Sequence, residues 1–188
     1  MNKIDYTALK RDIDNIVNQF KNCCSKGCSF CCYQMVEVYD FEVESIKASI
    51  KGLEQSIKGK VKSNLEEWFD YFNKYTPENK VLDENDTIKG LIKISKVEKH
   101  KCPLLVDNCC SIYENRPLTC RIHLVENHPE KCEKDPYRES SPQSSNVRFH
   151  LQRYLMGIRK SQLFFLPHIA TEEINIDKKI KPLKKLYI

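Results

Sequence analysis

The sequence predicts a mainly α-helical fold: one small domain of packed helices around an irregular, cysteine-rich core. Three observations predict it. Apolar residues recur at helical spacing in several separate segments. Five of the ten cysteines fall in one ten-residue stretch, CCSKGCSFCC over residues 23–32, and more follow over residues 102–132. Strands alternating with helices, the signature of a parallel sheet, are not written in the pattern.

Leu9, Ile13, Ile16 and Phe20 mark an amphipathic helix over about residues 5–21, which ends where the cysteine stretch begins. Gly27 inside that stretch lets the backbone turn where a side chain would clash. The run MVEVYDF reads as a brief strand or extended chain. Asp40 can cap a second helix, with Val43, Ile46, Ile50, Leu53 and Ile57 on one stripe. A third helix, written after Gly59 by Val61, Leu65, Trp68 and Phe72, stops at Thr76-Pro77. Ile88, Leu91, Ile92 and Ile94 suggest a short further helix. Prolines 103 and 117 divide the second cysteine group into short turns, and residues 133–146 read as a polar loop. Val147, Leu151, Tyr154, Leu155 and Ile158 mark a last helix that runs into the apolar LFFLP.

At 188 residues, 40% of them hydrophobic, the chain fits a single domain spanning 1–188, with the motifs between about 23 and 132. The N-terminus lacks the apolar segment of a secretory signal, and no stretch approaches the roughly 20 apolar residues of a membrane helix. These features predict a cytoplasmic protein with no membrane partner, a setting in which clustered cysteines bind metal or do redox work rather than form disulfides. The formal charge of +5 is concentrated in residues 177–188, which carry five lysines and one aspartate and read as a basic, mobile tail. With the remaining body near neutral, a nucleic-acid partner is not indicated.

The cysteines carry the chemistry. Cys24, Cys28, Cys31 and Cys32 follow a C-x3-C-x2-C-C spacing. Zinc takes four tetrahedral ligands and favours thiolates, and iron–sulfur clusters also want four cysteines, some local and one distant. Either need is met by these residues with Cys102, Cys110 and Cys120. The adjacent Cys31 and Cys32 point in different directions, which suits two neighbouring metal positions, or one ligand and one spare thiol, better than four consecutive ligands on one ion. Eight thiolates around two zinc ions leave excess negative charge that is costly to bury. Arg116 and Arg121 are candidate donors to sulfur outside the ligand shell, and His123 is the best placed histidine. His100 lies two residues before Cys102, and a helical turn would bring His128 beside Cys132. His150 and His168 have no assigned role.

The chain resembles the YkgJ-type cysteine-cluster proteins, a zinc- or iron-chelating family known by the pattern CxxCxxCC. The resemblance rests on Cys24-Ser25-Lys26-Gly27-Cys28-Ser29-Phe30-Cys31-Cys32, with three residues in the first gap instead of two. It continues in Cys102-Pro103-Leu104-Leu105 and in Cys110-Ser111-Ile112-Tyr113-Glu114-Asn115-Arg116-Pro117-Leu118-Thr119-Cys120-Arg121. It implies metal chelation by Cys24, Cys28, Cys31, Cys32, Cys102, Cys110 and Cys120, with zinc or iron, or an iron–sulfur cluster, as cofactor. Cys23, Cys109 and Cys132 fall outside the shared pattern. Of these Cys132, displaced from any doublet, is the candidate eighth ligand. A flagellin lysine methylase shares related cysteine motifs, which keeps an iron–sulfur-dependent redox or transfer enzyme, or its accessory subunit, open as the alternative. Cys24, Cys28 and Cys31 also spell the radical-SAM loop CxxxCxφC, but the strand–helix alternation of that barrel is missing.

Overall fold

The computed structural model describes residues 4–158, 161–184 and 186–187. Helix α1 (Tyr6–Val17) is opened by Asp5, whose carboxylate accepts the Ala8 N–H at 3.0 Å. It ends at Val17 rather than near residue 21, because Gln19 and Phe20 turn back onto the carbonyls of Ile16 and Val17. Strand β1 (Glu37–Tyr39) fulfils the extended reading of MVEVYDF, and a single 3-10 turn over Asp40–Glu42 leads into α2 (Val43–Lys51).

The stripe expected to continue through Leu53 and Ile57 is broken at Gly52. Glu54 adopts an extended conformation, and α3 (Gln55–Tyr75) restarts there, so Ile57 belongs to α3 and Gly59 lies within it. A single glycine costs a helix only about 1 kcal/mol. Here the burial of Val61, Leu65, Trp68, Phe69 and Phe72 outweighs it. Helix α3 ends at Tyr75, with Thr76 as its extended cap ahead of Pro77, as predicted. Helix α4 (Glu84–Lys96) is longer than its apolar residues suggested, because Asp83 caps it by accepting the Asp86 N–H.

A hairpin of β2 (Leu105–Val106) and β3 (Cys109–Cys110) follows, and then two short helices, α5 (Leu118–Ile122) and α6 (Pro129–Lys134). Helix α7 (Pro142–Ile158) begins inside the segment expected to be a loop. Ser141 accepts the Ser144 N–H and Pro142 occupies the first helical position, a start signal hidden in a serine-rich stretch. The LFFLP run is strand β4 (Gln162–Phe165) passing directly into α8 (Leu166–Glu173), not a continuation of helix. With β5 (Leu186–Tyr187) the chain forms an antiparallel sheet ordered β1-β4-β5. These are eight α-helices and five short strands among the described residues, a mainly helical fold.

The basic end, expected to be a mobile tail, is docked where it is described. The Lys181 ammonium donates to the carbonyls of Asn73 and Thr76 at the end of α3, Lys178 pairs with Asp70, and the backbone around Leu183 pairs with Leu82.

Two apolar cores result. One joins α2, α3, α4 and α8 around Ile46, Phe69, Phe72 and Ile169, with Cys102 and Cys110 against its edge. The other joins α1, α5 and α7 around Ile13, Leu118, Ile122 and Leu155, with Cys24 against its edge. The cysteine segments lie between them.

Candidate metal centre

The first cysteine segment leaves α1 without regular structure. It turns at Gly27, whose φ of +93° is unfavourable for any side chain, and the Cys28 N–H bonds the Ser25 carbonyl. A 3-10 turn over Phe30–Tyr33 then carries Cys31 and Cys32. The second segment meets it through the backbone: the Cys102 N–H donates to the Cys32 carbonyl at 2.7 Å. Asp107 and Asn108, both with positive φ, make the two-residue turn of the β2–β3 hairpin. The pleat of β3 puts Cys110 inward and leaves Cys109 exposed. Helix α5 presents Cys120, and the Leu118 N–H at its start is capped from afar by the buried Glu42 carboxylate at 2.7 Å.

The Cys24 sulfur accepts the Val125 N–H at 3.4 Å, and the backbone N–H two residues on favours the thiolate at Cys28, Cys102 and Cys110. Such donors stabilise the thiolate, the form that binds metal. Burial acts the other way. It pushes Cys24 up to about 11 and Cys102 up to about 12, and also raises Cys28, Cys110 and Cys120. The neighbouring Cys32 thiol, and after it Arg116, hold Cys31 below the ordinary thiol value. A thiolate cluster in this setting is stable only against compensating positive charge.

Arg116 supplies some of it. Its charge favours the thiolates of Cys31, Cys110 and Cys120, its Nε is buried without a partner, and its guanidinium lies 4.0 Å from the Tyr113 ring centre. Arg121, expected beside it, is placed elsewhere. It is buried and bonds Asp14 of α1 at 2.8 Å and the carbonyls of Arg116 and Glu114, so it ties α1 to α5 instead of facing sulfur.

His123 shares a cavity of about 60 Å³ with Cys31, Cys120, Glu37 and Arg148. Its Nε2 is buried without a partner, and burial with the nearby Arg148 keeps the ring neutral. His100 bonds the Lys101 carbonyl and Glu67, a structural role. His128 occupies the N-cap position of α6 in a left-handed conformation, and its exposed ring pairs with Glu130.

Cys132 is buried on α6, which packs against the Phe30–Tyr33 turn, and Arg138 approaches its sulfur at 3.7 Å. Sequence reasoning missed Arg138 and Arg148 because each lies in a segment with no cysteine. It also set Cys23 aside, yet the Cys23 N–H and Sγ both donate to the Val125 carbonyl, at 2.9 and 3.3 Å.

Among the described residues, no three Cys, His, Asp or Glu side chains converge closely enough to enclose an ion in the conformations found. The donor set nevertheless fits zinc or iron by its chemistry, by the Val125 N–H bond to the Cys24 sulfur and by the unpartnered Arg116 Nε.

No curated protein and no solved structure matches the chain. A family does match, over residues 22–137, more than half of the sequence and both cysteine segments: its description is "CxxCxxCC: Putative zinc- or iron-chelating domain". The chain therefore belongs to the CxxCxxCC family.

Proposed function

We propose that the protein is a metal-binding protein that chelates zinc or iron through Cys24, Cys28, Cys31, Cys32, Cys102, Cys110, Cys120 and Cys132. One observation carries this reading. At Cys28, Cys102 and Cys110, in both segments, the backbone N–H two residues on favours the thiolate, and the charge of Arg116, whose buried Nε has no partner, does the same at Cys31, Cys110 and Cys120. Hydrophobic packing needs neither feature. Metal-bound thiolates use both, the N–H groups as charge-assisted donors and the arginine as a counter-charge. All ten cysteines are free thiols, which suits the reducing environment of the cytoplasm.

A second reading, redox or group-transfer chemistry at an iron–sulfur cluster, is favoured by the cavity lined by Cys31, Cys120, His123 and Arg148. A structural zinc site is closed, whereas a reactive centre keeps one side open. Purification under anaerobic conditions, elemental analysis and an optical spectrum separate the two. Zinc without visible absorbance supports the first reading, and a brown protein that bleaches on reduction supports the second. Folded, metal-free protein that takes up neither metal would overturn both. The double variant Cys28→Ser/Cys120→Ser is expected to lose most of the bound metal.

A further inference from the structure

We propose that Cys23, Cys24, Cys28 and Cys132 form a second thiolate site for a divalent ion, separate from the one that Cys31, Cys32, Cys102, Cys110 and Cys120 supply. The proposal rests on the metal-chelating reading and deepens it: it brings in Cys23, which the shared motif leaves out, and assigns Arg138 a partner.

The segment around Val125 draws the first group together. Its carbonyl takes both the N–H and the thiol of Cys23, at 2.9 and 3.3 Å, and its N–H donates to Cys24 Sγ at 3.4 Å. The same segment continues into α6, which brings Cys132 against the turn that follows Cys28. Cys28 feels the charges of Cys31, Cys132 and Cys23, and Cys24 those of Cys23, Cys28 and Cys31, so Cys31 borders this group.

The second group coheres around a different centre. Cys102, Cys110 and Cys31 act on Cys120, and the backbone bond from Cys102 to Cys32 joins the two segments there. Each group also rests on its own core, Cys24 against that of α1, α5 and α7, and Cys102 with Cys110 against that of α2, α3, α4 and α8.

Each group has its own guanidinium. Arg138 stands 3.7 Å from Cys132 Sγ and is fixed there by bonds to the carbonyls of Glu126, Asn127 and His128. Arg116 serves the other group. Four thiolates on a divalent ion leave two excess negative charges, which an adjacent arginine halves. Zinc takes four ligands, so nine clustered cysteines exceed one site and divide naturally between two. Cys31 stands at the seam, and Cys109, exposed on the outer face of its hairpin, joins neither.

The test uses the full chain, reduced and anaerobic, titrated with zinc or with cobalt as an optical probe. Two ions per chain are expected, each cobalt giving thiolate charge-transfer absorbance. Cys23→Ser/Cys132→Ser is expected to bind one, with Cys102, Cys110 and Cys120 still protected from alkylation by the metal. Should that variant misfold, the unaltered chain still decides, by mass spectrometry of alkylated cysteines during the titration. Cys23, Cys24, Cys28 and Cys132 gain protection together and at a different added-metal ratio from Cys102, Cys110 and Cys120. One ion per chain, or unchanged reactivity of Cys23 and Cys132 when zinc is added, overturns the second site while leaving chelation standing. No uptake of either ion overturns the second site, and chelation itself falls only if iron is not taken up either.

Discussion

His168 shows how far one side chain can depart from its ordinary chemistry. Its two ring nitrogens are buried without hydrogen-bond partners, and the ring meets Phe69 and Phe72 edge-on at 5.1 Å, with Trp68 at 6.0 Å. Part of the residue reaches solvent, but the nitrogens do not, and burial holds the imidazole down at about 3 from the usual 6.5. The unfolded chain therefore takes up a proton below pH 6.5 that the folded chain refuses, so stability falls as the pH falls through that value. At pH 5 the loss is on the order of 2 kcal/mol. Glu42 has the opposite slope. Fully buried between the Tyr39 and Leu118 N–H groups, its carboxyl is pushed up to about 7 by desolvation, so its contribution falls as the pH rises from 4.5. The variant His168→Leu is expected to gain on the original chain at pH 5 relative to pH 7.5 in urea unfolding. A stability difference independent of pH would show that His168 is not titrating as described.

At the scale of elements, the contact of α3 with α4 depends on one missing methyl group. A Cβ on Gly90 would lie 2.5 Å from Thr76 Cγ2 and 3.6 Å from the Phe72 ring. Thr76 cannot easily yield, because it is buried and its hydroxyl bonds the Phe72 carbonyl. Gly90→Ala is expected to destabilise by about 1–2 kcal/mol despite alanine's better helix propensity, a fall of several degrees in Tm. An unchanged or raised Tm would mean that the helices separate without cost. Gly59, with nothing within 4 Å of a Cβ, gives the contrasting case, and Gly59→Ala is expected to stabilise. Periodicity in the sequence identified α1, α2 and α3, but it could not tell these glycines apart, nor find the break at Gly52. Both depend on what lies across the helix rather than along it. It read α7 late and missed α8, since a Ser-Pro start and a strand that runs straight into a helix lack a repeating apolar pattern.

At the scale of the molecule, the cysteine segments 23–32 and 102–132 contain only turns, a short hairpin and helices of five and six residues, and an ion ligated by both would cross-link them. A ligand present at about a hundred times its Kd stabilises by about 2.7 kcal/mol. For a chain of this size that corresponds to roughly 5–10 °C in Tm. Addition of zinc to metal-free, reduced protein is expected to raise Tm by at least this much, reversibly with a chelator. No shift would separate metal binding from folding.

The sequence by itself determined the helical class, the helix end at Pro77 and the donor chemistry, because periodicity, proline and thiol clustering are local properties of the chain. Tertiary structure alone decided which arginine faces sulfur. Arg116 and Arg121 are equally plausible by spacing, but Asp14 of α1 claims Arg121. The same holds for Cys23 and Cys132, drawn toward Cys24 and Cys28 by the Val125 backbone and the packing of α6. Such groupings join residues about a hundred positions apart, and only the packing of two cores brings those positions together.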